Sequence, residues 1–301
     1  MEIKLYHSLT YTTDGVVPVN LVAKSLLANE RLIHESLRLL EGLDKDFKID
    51  SIKVSVAKLS NESPLKEAMA IAVFIAYQHD LEKEVPQLIQ TLTGHSIPDG
   101  QVTLVTVLVF LVSIYLIDAA IERLMPGKSV KAIKAEYEEK MLLVSSLLKL
   151  SPDAIEEAVK NRFGEGRSKS LTSKVYEFFA PAKIESNTEI TTDNNVRISL
   201  DAIKEIPSAL DFAQMEKTNS YELDAVLIEI HRADRDETKH GWRAIIRDVS
   251  DRKTRMELDA DIRPDDLYGK TVLRGDVTII EDLKDDGDYQ VKAYHLRKVV
   301  E

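Results

Sequence analysis

His231, Asp234, Asp236 and His240 fall within ten residues of one another, in the run HRADRDETKH. Imidazole nitrogens and carboxylates are donors that zinc and similar ions accept, so these four are the candidate metal ligands of the chain. Their spacing matches no metal motif with a known mechanism, and a charged loop between two strands accounts for the same residues. Trp242 follows at once and is the only tryptophan. It anchors a core, or it stacks on a base or another flat ligand if it faces outward.

A second group is cationic. Arg162, Arg167, Lys169 and Lys174 cluster in NRFGEGRSKSLTSK and are suited to contact with phosphate or an anionic lipid surface. The two glycines of that run lack the spacing and the strand-turn-helix setting of a dinucleotide loop, so a mobile basic joint is expected there. Asp259 and Asp261 stand two apart. On a strand they would share a face, where paired carboxylates can serve as acid and base. The acids and bases that alternate around them, in DVSDRKTRMELDADIRPDD, equally describe a solvated strand with local ion pairs.

Several chemistries are excluded. Gly127, Lys128 and Ser129 resemble the end of a phosphate-binding loop, but the glycine required at position 122 is Glu122, and the preceding segment reads as a helix. With no cysteine there are no disulfides, thiolate metal sites or cysteine nucleophiles. The seven histidines single out no Ser-His-Asp arrangement. The sequence calls for no cofactor.

The elements that must position these residues fall into three textures. Residues 3–11 and 49–59 carry β-favouring, alternating patterns, and between them positions 21–43 repeat apolar residues at helical spacing. A strand-helix-strand unit is therefore expected over 1–62. Residues 63–183 read as helical. A helix is predicted to begin near Ser63 or Pro64 and to carry Ala68, Met69, Ile71, Ala72 and Ile75. A short helix is predicted from Pro86, another over 133–149, and one over 152–163 capped by Ser151 with Pro152 in its first turn. Residues 184–220 are polar and read as a linker. From 221 to 301 five short runs of strand character alternate with charged turns, the last of them DDGD at 285–288. Five strands over so short a length predict a small barrel of the OB or SH3-like kind. The expected class is α+β.

Within the helical middle, residues 102–121 hold VTLVTVLVFLVSIYLID and its apolar continuation, with Asp118 the first charge. That length is about what a bilayer span needs. Val102, Thr106, Phe110, Ser113 and Ile117 mark the faces on which such a helix would meet lipid or sister helices, and small polar seams of this kind pack helices together in membranes. The basic residues that follow, Arg123, Lys128, Lys131 and Lys134, would place the C-terminal side inside the cell. A helix apolar all round is also what the centre of a large soluble core contains.

The opening residues, MEIKLYH, show no basic start followed by an apolar run. The expected location is therefore the cytoplasm, at the inner face of the membrane or with one spanning helix. The net charge of −11 disfavours broad non-specific binding to nucleic acid, while a local basic patch remains compatible with it.

Two functions follow. One is a membrane-associated, non-enzymatic oligomeric effector or sensor with a barrel as its binding module, a layout that bacterial defence effectors also use, though no motif is shared. The other is a soluble oligomer that binds protein or nucleic acid and buries the hydrophobic helix in its core.

Overall fold

The computed structural model describes residues 2–44, 47–60, 64–75, 104–192 and 196–300. The fold is α+β, and it divides into two compact units. The first comprises Met1–Phe163 and Leu171–Leu210, the second Gly164–Ser170 and Asp211–Glu301.

In the first unit, β1 (Glu2–Tyr11), α1 (Val19–Leu43), β2 (Ile49–Ser60) and β3 (Leu65–Ile75) open the chain. The five-stranded sheet has the order β2-β3-β1-β4-β5, with β4 (Ile190–Thr191) and β5 (Arg197–Ile198) extending it beyond β1. Both β1 and β2 run antiparallel to β3, so they are parallel to one another with β3 inserted between them, a split β-α-β arrangement. On β1, Ile3, Leu5, His7, Leu9 and Tyr11 turn inward and are buried, while Lys4 and Tyr6 face solvent.

The helix predicted from Ser63 or Pro64 is instead β3. Leu65, Glu67, Met69, Ile71 and Val73 are buried, alternating with Lys66, Ala68, Ala70, Ala72 and Phe74 on the other face. Three alanines favour a helix locally, but pairing on both edges and period-two burial override that preference. The helix predicted from Pro86 lies outside the described residues.

Next come α2 (Leu104–Leu124), α3 (Lys131–Leu148), α4 (Pro152–Arg162) and α6 (Thr172–Phe179). As the sequence predicts, Ser151 caps α4, its Oγ accepting from the Ala154 N–H at 3.3 Å. Residues 184–220 carry β4, β5 and the short α7 (Leu200–Glu205), and β4 pairs with Thr10 and Tyr11 of β1.

Among the described residues α2 is the one helix that by length and composition could cross a bilayer. Of its most apolar window, 83% is buried inside the protein. It packs against α1, α3, α6 and β1. Its polar groups are used internally. The Ser113 hydroxyl donates back to the Val109 carbonyl at 2.6 Å, and Thr106 Oγ1 lies 3.1 Å from His7 Nδ1 on β1.

The second unit contains α5 (Glu165–Ser170), β6 (Thr218–Arg232), β7 (Trp242–Ile246), β8 (Ser250–Leu258), α8 (Pro264–Leu267), β9 (Val272–Leu283) and β10 (Tyr289–Val300). All five predicted strands form, and they close into a barrel in the order β10-β8-β7-β6-β9. Every pairing is antiparallel except β8 with β10. Trp242, Met256, Val277, Ile279, Tyr294 and Leu296 fill its centre. The turn between β9 and β10 places Gly287 at φ +85°, the left-handed region the DDGD run signals.

The stretch predicted as a mobile joint is helical. The Arg167 guanidinium is buried, stacks 4.6 Å from the centre of the Tyr221 ring and hydrogen-bonds the Tyr221 hydroxyl. Asn219 Nδ2 donates to the Gly166 carbonyl at 2.9 Å and to Glu281 at 3.1 Å, and Ser170 Oγ donates to Glu281 at 3.0 Å. Gly166 is needed for close approach, because a Cβ there would overlap the Ser220 carbonyl oxygen on β6. We expect Gly166→Ala to cost about 1–3 kcal/mol of overpacking and to loosen α5 from the barrel. Limited trypsinolysis would show it as new cleavage after Arg167 and Lys169, sites the native packing protects.

Candidate nucleic-acid interface

Strand register on the barrel assembles a row that the linear sequence hides. Arg232 on β6 pairs with Arg243 on β7, and Arg243 pairs with Arg255 on β8. The neighbours of these pairs, Ile230 with Ala244 and Trp242 with Met256, point into the core, so the three arginines point out. The bulge that places Arg232 opposite Arg243 leaves His231 as the extra residue on β6. The row crosses three strands, about 10 Å at the usual strand spacing.

Like charges directly opposite one another destabilise a sheet, so the partners of the row matter. Arg255 Nη2 lies 2.8 Å from Glu257 and donates to the Lys239 carbonyl at 3.2 Å. Arg243 Nη1 donates to the Lys253 carbonyl at 3.4 Å. Among the described residues Arg232, Arg243, Lys239, Arg252 and Lys253 have no carboxylate within ion-pair distance. Glu229 holds Arg247 at 2.5 Å, which keeps the Glu229 carboxyl below its ordinary range. Guanidinium forks match phosphate oxygens in pairs, so the row is chemically suited to a chain of phosphates.

The residues singled out by sequence are placed as follows. On α2, Thr106, Phe110, Ser113 and Ile117 are all buried, and Val102 lies outside the described residues. Each of the four clustered cations has a partner. Arg162 binds Glu35 at 2.9 Å, Lys174 binds Glu177 at 3.0 Å, Lys169 binds Glu165 at 2.7 Å, and Arg167 is buried on Tyr221.

His231 lies 3.7 Å from Glu229, while Asp234 accepts the Asp236 N–H in a local turn at 3.1 Å. No group of three or more His, Asp or Glu side chains able to hold a metal forms among the described residues, His240 included. Trp242 is inside the barrel and donates its indole N–H to the Glu237 carbonyl at 2.6 Å, so it offers no stacking face. Asp259 and Asp261 sit beyond the end of β8 in a turn, where Asp259 accepts the Asp261 N–H. They do not share a strand face.

A second polar constellation, unmarked in the sequence, lies inside the first unit. Thr106 donates to His7 Nδ1, His7 Nε2 donates to Asn29 Oδ1 at 3.0 Å, and Asn29 Nδ2 donates to Glu67 at 3.3 Å. The order of donors follows from the amide, which can donate to a carboxylate only through nitrogen. Tyr11 donates to the Phe178 carbonyl at 2.8 Å and so accepts from Ser25 at 2.8 Å. Burial pushes the Glu67 carboxyl up to about 7, against interactions with Ser25 and Asn29 that draw it down. Burial also lowers His7 to about 4, so the imidazole is neutral. Ser25, His7 and Glu67 are all enclosed, and the Ser25 hydroxyl serves Tyr11 rather than His7. The network joins β1, β3, α1 and α2, and its measurable consequence is pH dependence of folding.

Geometry thus defines a two-unit α+β protein with a closed, outwardly arginine-bearing barrel. Comparison with protein-family models, with curated proteins and with solved structures finds no match.

Proposed function

We propose that this chain is a soluble, non-enzymatic binding protein whose barrel holds single-stranded nucleic acid across β6, β7 and β8. The observation that carries the reading is the register of Arg232, Arg243 and Arg255, of which the first two lack a carboxylate partner among the described residues. A five-stranded Greek-key barrel that binds oligonucleotides does so on the face of its second and third strands. In this barrel those strands are β7 and β8. The acidic whole leaves long-range attraction weak, so recognition is local and depends on close approach.

The enclosure of α2 by its own unit supports a cytoplasmic, soluble form. It also means that a sister helix is not required to shield α2, so oligomerisation would arise from other surfaces. The length and composition of α2 favour a second reading, a membrane-associated effector that releases this helix into lipid.

Anisotropy of a labelled single-stranded oligonucleotide, titrated with protein at several salt concentrations, tests the first reading. Affinity should fall with salt, and Arg232→Gln with Arg243→Gln should lower the slope of log K against log salt by about 1.4, at ~0.7 for each phosphate that is no longer neutralised. Binding indifferent to salt, or unchanged in the double variant, would overturn it. Sedimentation of the same sample gives the oligomeric state.

A further inference from the structure

The geometry points to a second single-strand platform on the first unit, the outward face of β2, β3 and β1. It goes beyond the barrel reading and uses other residues. Register stacks this face in rows of three: Lys53, Ala72 and Lys4; Ser55, Ala70 and Tyr6; Lys58, Ala68 and Ser8; Ser60, Lys66 and Thr10; and Ser51, Phe74 and Glu2. The central strand therefore contributes a floor of small alanines. Two aromatic rings stand on it, Tyr6 and Phe74, about 14 Å apart from the rise per residue and the strand spacing. Tyr6 is 56% exposed.

Around the rings are four exposed lysines, Lys4, Lys53, Lys58 and Lys66, none within ion-pair distance of a carboxylate among the described residues. Lys53 leans over the Phe74 ring at 5.2 Å. In these rows the sole acid is Glu2. The helices that cover the sheet lie against its other face, where His7 and Glu67 meet α1 and α2.

The occupant that fits is a single strand of RNA or DNA. Flat rings offer stacking to any base, and the lysines track the phosphates. Sheets that read single strands use outward aromatics in this manner, and the alanine floor leaves room for a base between the rings. An anionic lipid surface would use the lysines but not the exposed Tyr6 ring, which makes the two partners separable.

The test uses the full chain carrying Arg232→Gln, Arg243→Gln and Arg255→Gln, so that the barrel row is silenced. A labelled oligonucleotide should still bind with salt dependence. Adding Tyr6→Ala should weaken binding about tenfold, Tyr6→Phe should leave it unchanged, and Lys53→Gln with Lys58→Gln should lower the salt slope by about 1.4. Tyr6 and the lysines are on the surface, so circular dichroism should be unchanged in all variants. Loss of all binding in the barrel-silenced chain, or indifference to Tyr6→Ala, would overturn the proposal. So would binding to phosphatidylserine vesicles with none to the oligonucleotide. The barrel reading fails separately, if its own variants leave the wild-type slope intact.

Discussion

Phe110→Ala is expected to lower the stability of the first unit by about 3–5 kcal/mol. Phe110 sits in the N-terminal half of α2 with no exposed surface, and its neighbours Val107, Leu111 and Ile114 are equally enclosed. Truncating the ring removes its transfer energy and leaves a cavity that walls formed by several elements cannot collapse to fill. The loss is a large fraction of the total stability of an ordinary domain, so part of the chain should unfold near room temperature. A denaturant titration followed by far-ultraviolet circular dichroism measures it. A helix that meets lipid at this position would have no rigid cavity to leave, and the same substitution would then cost much less, since lipid tails are as apolar as the side chain removed.

Glu67→Gln is expected to stabilise the protein at pH 8 by about 3 kcal/mol, at ~1.4 kcal/mol per unit of displacement, and to have little effect at pH 4.5. The Glu67 carboxyl titrates near 7 in the folded chain and near 4.5 when unfolded. Between those values the folded state holds a proton that the unfolded state has released, so stability falls as pH rises from 4.5 through 7 and is then level. Glutamine copies the protonated acid: its oxygen still accepts from Asn29, and its N–H can donate to Ser25. His7 acts at the other end. It stays neutral in the fold down to about 4, whereas the unfolded chain takes up its proton below 6.5. Stability is therefore lost as pH falls from 6.5 through 4. Wild-type protein should be most stable in mildly acidic solution, and Glu67→Gln should shift that optimum toward neutrality. Thermal melts across pH 4 to 8 give the two curves.

Much of this architecture is legible in the residues. The uncharged run through Phe110 had to be shielded, and it is. Alternation with charged turns marks all five barrel strands, and Ser151 with Pro152 marks the start of α4. Other features were hidden for identifiable reasons. Ala68, Ala70 and Ala72 have helical preference, and only pairing with β1 and β2 makes a strand of them. Gly166 resembles a flexible hinge until the Ser220 carbonyl is seen against it. Arg243 and Arg255 are separated by a turn, and Arg255 reads as a member of ion pairs in an alternating run. Register, which a single sequence does not carry, sets them side by side. The candidate ligands His231, Asp234, Asp236 and His240 show the reverse, since closeness in sequence brought no convergence of side chains.

In this fold α2 is sheltered by the chain that contains it. The direct measurement is fractionation of cells expressing the protein at native level, without detergent, followed by a carbonate wash of the membranes. Recovery of the full-length chain in the soluble fraction is the predicted result. Retention in the washed membrane pellet, with the 104–124 segment protected from added protease, would contradict it.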